Sequence, residues 1–325
     1  MQFRRLGNSG LKVSNLCLGT MAFGRWIDED SSARVLDAAL DAGVNFVDTA
    51  DVYGKGMDND TPDQKGESEA ILGSLLGARR QRLVLATKVR GEMGRGPNEQ
   101  GLSRGHIMAA VDASLRRLRT DYIDLYQCHS FDPNTPIEES LRALDDLVRQ
   151  GKVRYIGCSN FAAWQIAKAH GISERLGLAR FVSVQPQYSL LVRDVEGELL
   201  PFCRSEGVGV IPYSPMARGL LTGKYRKGEE PPAGTRAAAG EKRLHALMSD
   251  ETFDRVERFR AACTEWGLAM PQVATAWVLA NPAVTSAIVG ASKPEQVADA
   301  AAAAELQLSA EQLQTLDQIF ATPRG

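Results

Sequence analysis

The sequence is short of the residues that build metal centres and covalent staples. It has five cysteines, Cys17, Cys128, Cys158, Cys203 and Cys263, each isolated from the others, and four histidines in 325 residues. No CxxC pair occurs, so neither a zinc site nor a disulfide framework is indicated. No apolar run reaches about 18 residues, the length of a membrane-spanning helix, and none of the kind found in a signal peptide follows Met1. A cytoplasmic protein is the expectation. Basic tracts are also missing: 38 Lys and Arg against 40 Asp and Glu leave a formal net charge of -2, which argues against nucleic acid as the main partner.

Three nucleotide and hydrolase motifs fail on inspection. Gly207-Val208-Gly209 lacks the third glycine of a dinucleotide-binding fingerprint. The stretch from Gly219 to Gly223-Lys224 has the wrong spacing for a P-loop. Gly157-Cys158-Ser159-Asn160-Phe161 lacks the closing glycine of a nucleophile elbow.

What is present is a repeating alternation. Phe3 to Leu6 and Leu11 to Val13 flank Gly7-Asn8-Ser9-Gly10, a hairpin signal. Eight apolar runs of strand length follow: Leu16–Leu18, Phe46–Asp48, Leu83–Lys88, Ile123–His129, Tyr155–Ser159, Phe181–Gln185, Val208–Tyr213 and Ser286–Val289. Continuous apolar character is expected of parallel strands buried on both faces. Helical spacing fills the intervals, as at Ile107, Val111, Leu115 and Leu118, and at Ile137, Leu141, Leu144 and Val148. Pro271 reads as a first-turn proline, and Ser309 with Gln312 reads as a capping box. The pattern predicts an α/β chain of the (β/α)8 barrel type with an N-terminal β-hairpin cap, one domain over residues 1–325. Three connections are long: Gly54–Gly66, Arg90–Gly105 and Lys227–Lys242.

Barrels carry their chemistry at the C-terminal ends of the strands. Those ends are polar here: Asp48, Lys88, His129, Ser159, Gln185 and Tyr213, with Tyr53 five residues past Asp48. A free tyrosine titrates near 10 and is a poor acid at neutral pH. Lys88, held by Asp48, is expected to lower that value. A protonated or hydrogen-bonding His129 would orient a carbonyl oxygen and stabilise charge on it.

The strings Asp48-Thr49-Ala50-Asp51-Val52-Tyr53-Gly54, Ala86-Thr87-Lys88, Leu125-Tyr126-Gln127-Cys128-His129 and Ile156-Gly157-Cys158-Ser159-Asn160-Phe161 resemble the aldo-keto reductase superfamily. Val184-Gln185-Pro186-Gln187-Tyr188-Ser189, Tyr213-Ser214-Pro215 with Gly219, and Ile288-Val289-Gly290-Ala291-Ser292 fit the same family, in order along nearly the whole chain. The resemblance is strongest to the bacterial branch that is itself similar to potassium-channel β subunits. It implies an enzyme with a catalytic set of Asp48, Tyr53, Lys88 and His129. Tyr53 would be the general acid in carbonyl reduction and the general base in alcohol oxidation. The implied cofactor is NADPH/NADP+, with no metal and no flavin. Ser159, Asn160 and Gln185 would hold the nicotinamide carboxamide, and Tyr213 would stack on the ring. Ser214, Pro215, Met216, Gly219 and Lys224 would line the pyrophosphate path. Gly290, Ser292, Lys293 and Gln296 would surround the adenosine end, with Arg236 a second phosphate contact. Two positions depart from the family pattern. Asp299-Ala300 stands where an acidic residue followed by Asn is common, and Lys293 stands where Arg is also common. Lysine keeps the charge but lacks the bidentate fork.

The implied partner is a small carbonyl or alcohol, and the oligomeric state stays open. Met21, Phe23 and Trp26 would either wall a partly apolar pocket or pack the barrel top. If Asp58, Asp60 and Asp63 face that pocket they would disfavour anions, which points to a neutral aldehyde, ketone or sugar-like carbonyl. The rival role is an NADPH-binding, redox-sensing regulatory subunit, as in channel β subunits; a barrel that has lost activity is the third.

Overall fold

The computed structural model describes residues 1–321 apart from 234, 236 and 239. Strands β1 (Phe3–Arg5) and β2 (Lys12–Ser14) form the expected antiparallel hairpin. Gly7 turns it with φ 55, where any Cβ would sit 2.3 Å from the Val182 carbonyl oxygen, so only glycine fits. Eight further strands follow: β3 (Leu16–Gly19), β4 (Phe46–Asp48), β5 (Val84–Val89), β6 (Ile123–Cys128), β7 (Val153–Ser159), β8 (Phe181–Gln185), β9 (Gly209–Val210) and β10 (Ala287–Gly290). They pair in the order β10-β3-β4-β5-β6-β7-β8-β9, all parallel. Parallel bridges Val210↔Val284 and Tyr213↔Ile288 join the two ends, with the Ile288 amide donating to the Pro212 carbonyl at 2.8 Å. The sheet is thereby a closed (β/α)8 barrel.

Two apolar layers hold it. Leu6 and Val13 of the hairpin pack with Cys17, Phe46, Val84, Ala86, Leu125, Ile211 and Ile288, filling the barrel interior from its N-terminal end. Alternate residues on the same strands, such as Leu18, Val47, Leu85 and Tyr126, face the surrounding helices. The helices begin and end as their sequences dictate. Ser309 accepts from the Gln312 amide while the Gln312 side chain accepts from the Ser309 amide, completing the capping box of the helix Ala310–Phe320. Pro271 lies in the first turn of the helix Met270–Ala280. Leu141 and Leu144 are buried in the helix Ile137–Arg149, with Ile137 and Val148 packed partly buried beside them.

Two expectations need correcting. The run Val208–Tyr213 was read as one strand, but only Gly209–Val210 is regular; Pro212 has no N–H to donate, and Tyr213 makes isolated bridges instead. Of the three long connections, Arg90–Gly105 and the described part of Lys227–Lys242 stay irregular up to the helices that end them, but Gly54–Gly66 is not a plain loop. Gly54–Gly66 holds a helical turn at Gly56–Asn59 and a 3₁₀ turn at Pro62–Gln64, and Lys242–His245 forms a short helix. No described helix is long and apolar enough to cross a membrane.

Candidate active site

Parallel strands expose their C-terminal ends at one rim, and alternation sends every second side chain inward. On β4 that rule aligns Phe46 and Asp48, on β5 Val84, Ala86 and Lys88, and on β6 Leu125 and Gln127. The apolar residues lie deep and the polar ones lie above them. Lys88 is fully buried there and Asp48 is 2% exposed. A buried ammonium and carboxylate persist only when paired and hydrogen-bonded. Lys88 Nζ donates to Asp48 Oδ2 at 2.5 Å, to the Thr49 carbonyl at 2.8 Å and to the Tyr53 hydroxyl at 3.3 Å. Asp48 Oδ1 accepts from the side-chain amides of Gln127 and Gln185, both at 3.0 Å. The sequence motif around Gln127 assigns it no role. Its inward register two residues before His129 was the signal that could have found it.

Tyr53 lies on the turn after β4, its amide bonded to the Ala50 carbonyl at 3.2 Å. Its ring meets the His129 ring edge to face, with centroids 5.9 Å apart. Asp48, Tyr53, Lys88 and His129 are thus brought together at the rim. The acidity of Tyr53 differs from expectation. Burial raises its pKa above the ordinary value, and Lys88 only partly opposes this, so the phenol holds its proton. For Lys88, burial acts downward, but Asp48 and Tyr53 outweigh it and keep the ammonium charged. Burial, followed by the charges of Lys88, Arg90 and Arg243, pushes His129 down to about 3. This downward shift favours the neutral, hydrogen-bonding form of the imidazole near pH 7.

Behind this layer lies a carboxyl that the motif contained but did not explain. Asp51 is fully buried and neither oxygen has a hydrogen-bond partner; the buried Tyr126 hydroxyl also has none. Burial, with the charge of Glu69 beside it, lifts Asp51 from 3.8 to about 7. Its folded pKa lies above its unfolded value, so the folded state favours the neutral form. Stability contributed by this preference falls as pH rises from about 4 to about 7 and stays low above that. Asp51→Asn is therefore expected to raise the thermal midpoint, and by more at pH 8 than at pH 5. A midpoint difference independent of pH would show that Asp51 does not titrate in this window.

The remaining predicted residues fall into two groups along the rim. Ser159 donates to the Gln185 carbonyl at 2.8 Å; Asn160 donates to the His129 carbonyl at 3.1 Å and to Ser159 Oγ at 3.0 Å. The Tyr213 hydroxyl donates to Asn160 Oδ1 at 3.0 Å, linking the β7 and β9 ends. Beyond Tyr213 the backbone turns repeatedly left-handed, with φ 58 at Ser214, 45 at Ala217, 58 at Arg218 and 103 at Gly219. Pro215 and Met216 lie within this run. A Cβ on Gly219 would sit 3.1 Å from Lys224 Nζ, so Lys224 lies directly over it. The second group surrounds the end of β10 at Gly290. Gln296 Oε1 accepts from the Ser292 amide at 2.8 Å and its hydroxyl at 3.2 Å, and Lys293 precedes the helix Pro294–Glu305. Arg236 lies outside the described residues.

Within the left-handed run the Ala217 and Gly219 amides donate to the Ser214 and Met216 carbonyls, both at 2.9 Å, which holds the turn tightly beside Lys224. The helix Pro294–Glu305 directs the positive end of its dipole toward Ser292 and Lys293. Other candidates are excluded or reassigned. All five cysteines are free and buried, and burial raises the Cys128 and Cys158 thiols, so they are packing. Phe23 is fully buried in the outer core rather than lining a cleft, whereas Met21 is half-buried and Trp26 exposed. Among the described residues no three His, Cys, Asp or Glu side chains form a group able to hold a metal ion.

The sequence pattern described as the aldo/keto reductase family matches residues 15–321. The uncharacterized oxidoreductase YrpG of Bacillus subtilis (strain 168) is 43% identical, covering 100% of this chain and 98% of the relative. A probable voltage-gated potassium channel subunit beta of Oryza sativa subsp. japonica is 38% identical over 92% of this chain and 90% of its own. The versiconal hemiacetal acetate reductase of Aspergillus parasiticus is 36% identical over 98% of this chain and 97% of its own. Matched from its third strand to its last helix, the chain belongs to the aldo/keto reductase family.

Proposed function

We propose that the protein is an NADPH-dependent reductase of aldehydes or ketones, reversible with secondary alcohols, in which Tyr53 moves the proton. One observation carries this reading. A single buried ammonium, Lys88 Nζ, touches both the Asp48 carboxylate and the Tyr53 hydroxyl at the rim of the barrel. The bound nicotinamide supplies the hydride in reduction and takes it up in oxidation. Tyr53 Oη gives its proton to the carbonyl oxygen as the carbon accepts that hydride, leaving a phenolate. Lys88 stabilises the phenolate because its charge is already fixed against Asp48. The neutral imidazole of His129 donates a hydrogen bond to the same carbonyl oxygen and sets the substrate's angle. The phenolate regains its proton from solvent.

Ser159, Asn160 and Gln185 form the nicotinamide end of the site, with the Tyr213 ring beside them. Ser214, Pro215, Met216, Gly219 and Lys224 take the pyrophosphate, with Gly290, Ser292, Lys293 and Gln296 at the adenosine end. Arg236 remains a further phosphate contact in this scheme. Preference for NADPH over NADH rests on Lys293, next to the helix N-terminus. Lys293→Ala is expected to weaken NADPH by roughly tenfold or more, the range of one charge-assisted hydrogen bond, while NADH changes little. Equal losses for both cofactors would remove Lys293 from phosphate recognition. The free thiols support a reducing, cytoplasmic setting.

Fluorescence titration with NADPH, followed by absorbance assays over a panel of aldehydes and ketones, tests the whole reading. Tight binding with many turnovers per protein supports the reductase. The channel-subunit relatives favour a second role, an NADPH-binding regulatory subunit, and NADPH oxidation that stops after a single equivalent would select it. Absence of binding would remove both.

A further inference from the structure

The sequence pointed toward neutral substrates because Asp58, Asp60 and Asp63 follow Tyr53. The structure spends two of these charges elsewhere. Arg25 binds both Asp58 oxygens, at 2.5 and 2.9 Å. Asp60 pairs with Arg95 at 2.9 Å and with Lys65 at 3.6 Å. Asp63 is exposed on the short 3₁₀ turn. None of the three is among the charges that act on His129, which are all cationic.

One of those cations is held unusually. Arg90 is the first residue past β5, two beyond Lys88, and Val89 pairs with Cys128 across the sheet. The His129 amide donates to the Val89 carbonyl at 2.9 Å, so Arg90 stands directly across from His129 at the rim. Its φ is 132, a region that side-chain-bearing residues rarely occupy and that is strained. The neighbouring chain enforces this. A Cβ on Gly91 would lie 1.8 Å from Val52 Cγ1, one residue before Tyr53, and the Gly101 amide closes the loop onto the Arg90 carbonyl at 3.0 Å. The guanidinium gains nothing visible in return. Its Nε is buried without a hydrogen-bond partner, and among the described residues no acidic side chain pairs with it. Asp132, whose carboxylate feels the charge of Arg90, is committed to the Leu102 and Asn134 amides and the Thr135 hydroxyl. Arg243 adds a second exposed cation acting on His129 and on Tyr213.

Arg90 is half-buried at the rim, with its inner Nε enclosed and unmatched and with no ion-pair partner among the described residues, so its guanidinium fork is uncommitted beside the reaction site. We propose that Arg90 is a specificity residue that binds an anionic group, a carboxylate or phosphate, on the carbonyl substrate. This rests on the reductase reading above and narrows its substrate class from neutral carbonyls to anionic ones. A planar fork of donors fits either anion. The anion would sit on the β5–β6 side of the rim, away from the strand ends assigned to the cofactor.

The test compares 4-carboxybenzaldehyde and 4-formylphenyl phosphate with the methyl ester of the former. The expected ratio of kcat/KM, either anion over ester, is about tenfold or more, and it falls toward one in Arg90→Gln. Arg90→Lys keeps part of the ratio, and added salt lowers it in the wild type. Whichever anion shows the larger ratio identifies the group. An ester used as well as both anions, or a ratio that survives Arg90→Gln, overturns the proposal. A turnover-independent arm uses calorimetry of benzoate and inorganic phosphate on the NADP+-loaded protein. If no aldehyde is reduced, the reductase reading fails. The anion site then stands if either probe binds the wild type and is lost in Arg90→Gln, and falls if neither binds or the variant binds equally.

Discussion

Tyr53→Phe is expected to retain NADPH binding and to lose turnover by a factor of roughly 100 or more. The substitution removes one hydroxyl and little else. The phenyl ring keeps its edge contact with His129, and Lys88 Nζ remains near its face, 4.9 Å from the ring centroid in the native side chain. Lys88 keeps two of its three oxygen contacts, Asp48 and Thr49. Fold and cofactor site should therefore survive while the proton donor disappears. Single-turnover oxidation of bound NADPH, with fluorescence titration of the same sample, separates the two effects. A near-normal rate in the variant would sink the assignment of Tyr53.

Lys88→Met should be damaging in a second way. It leaves the Asp48 carboxylate buried with its Oδ2 bereft of a cation, and breaking a buried pair from one side typically costs about 3–5 kcal/mol. Turnover should also fall by roughly 100-fold or more, since the phenolate loses its stabilising charge. Asp48→Asn added to Lys88→Met should recover part of the stability and none of the activity, because the stranded charge is gone but the acid remains unsupported. Urea midpoints for wild type, both single variants and the double variant give the coupling. A Lys88→Met protein as stable as wild type would mean that the pair does not hold the layer together.

Much of this was legible before any coordinates. Phe46–Asp48 and Phe181–Gln185 were read to the residue, because an apolar run that stops at a polar side chain marks both the strand and its rim. The capping box at Ser309 and the first-turn proline at Pro271 are local rules and were equally plain. What escaped depends on depth. Tyr53 was expected to be made more acidic by Lys88, yet burial outweighs that charge, and burial is not written in a loop sequence. Asp51 sits inside a motif that was quoted in full, but nothing local shows that its carboxyl is enclosed without a partner. Gln127 needed the inward register of β6 to be followed one step back from His129. The pairing of Asp58 with Arg25 and of Asp60 with Arg95 was not legible in the acidic run after Tyr53, because both cations come from other segments.

Asp48 is bonded from β5, β6 and β8, so one side chain of β4 ties four staves of the barrel together. This makes two members of the proposed catalytic set unequal to the other two under mutation over evolutionary time. Asp48 and Lys88 would be retained by selection for folding even in a descendant that had abandoned turnover. Among the described residues His129 carries no such side-chain bond, and Tyr53 has only the longer contact from Lys88 at 3.3 Å. Drift toward a silent, cofactor-holding barrel should therefore erase Tyr53 or His129 first and leave the buried ion pair as a fossil of the chemistry.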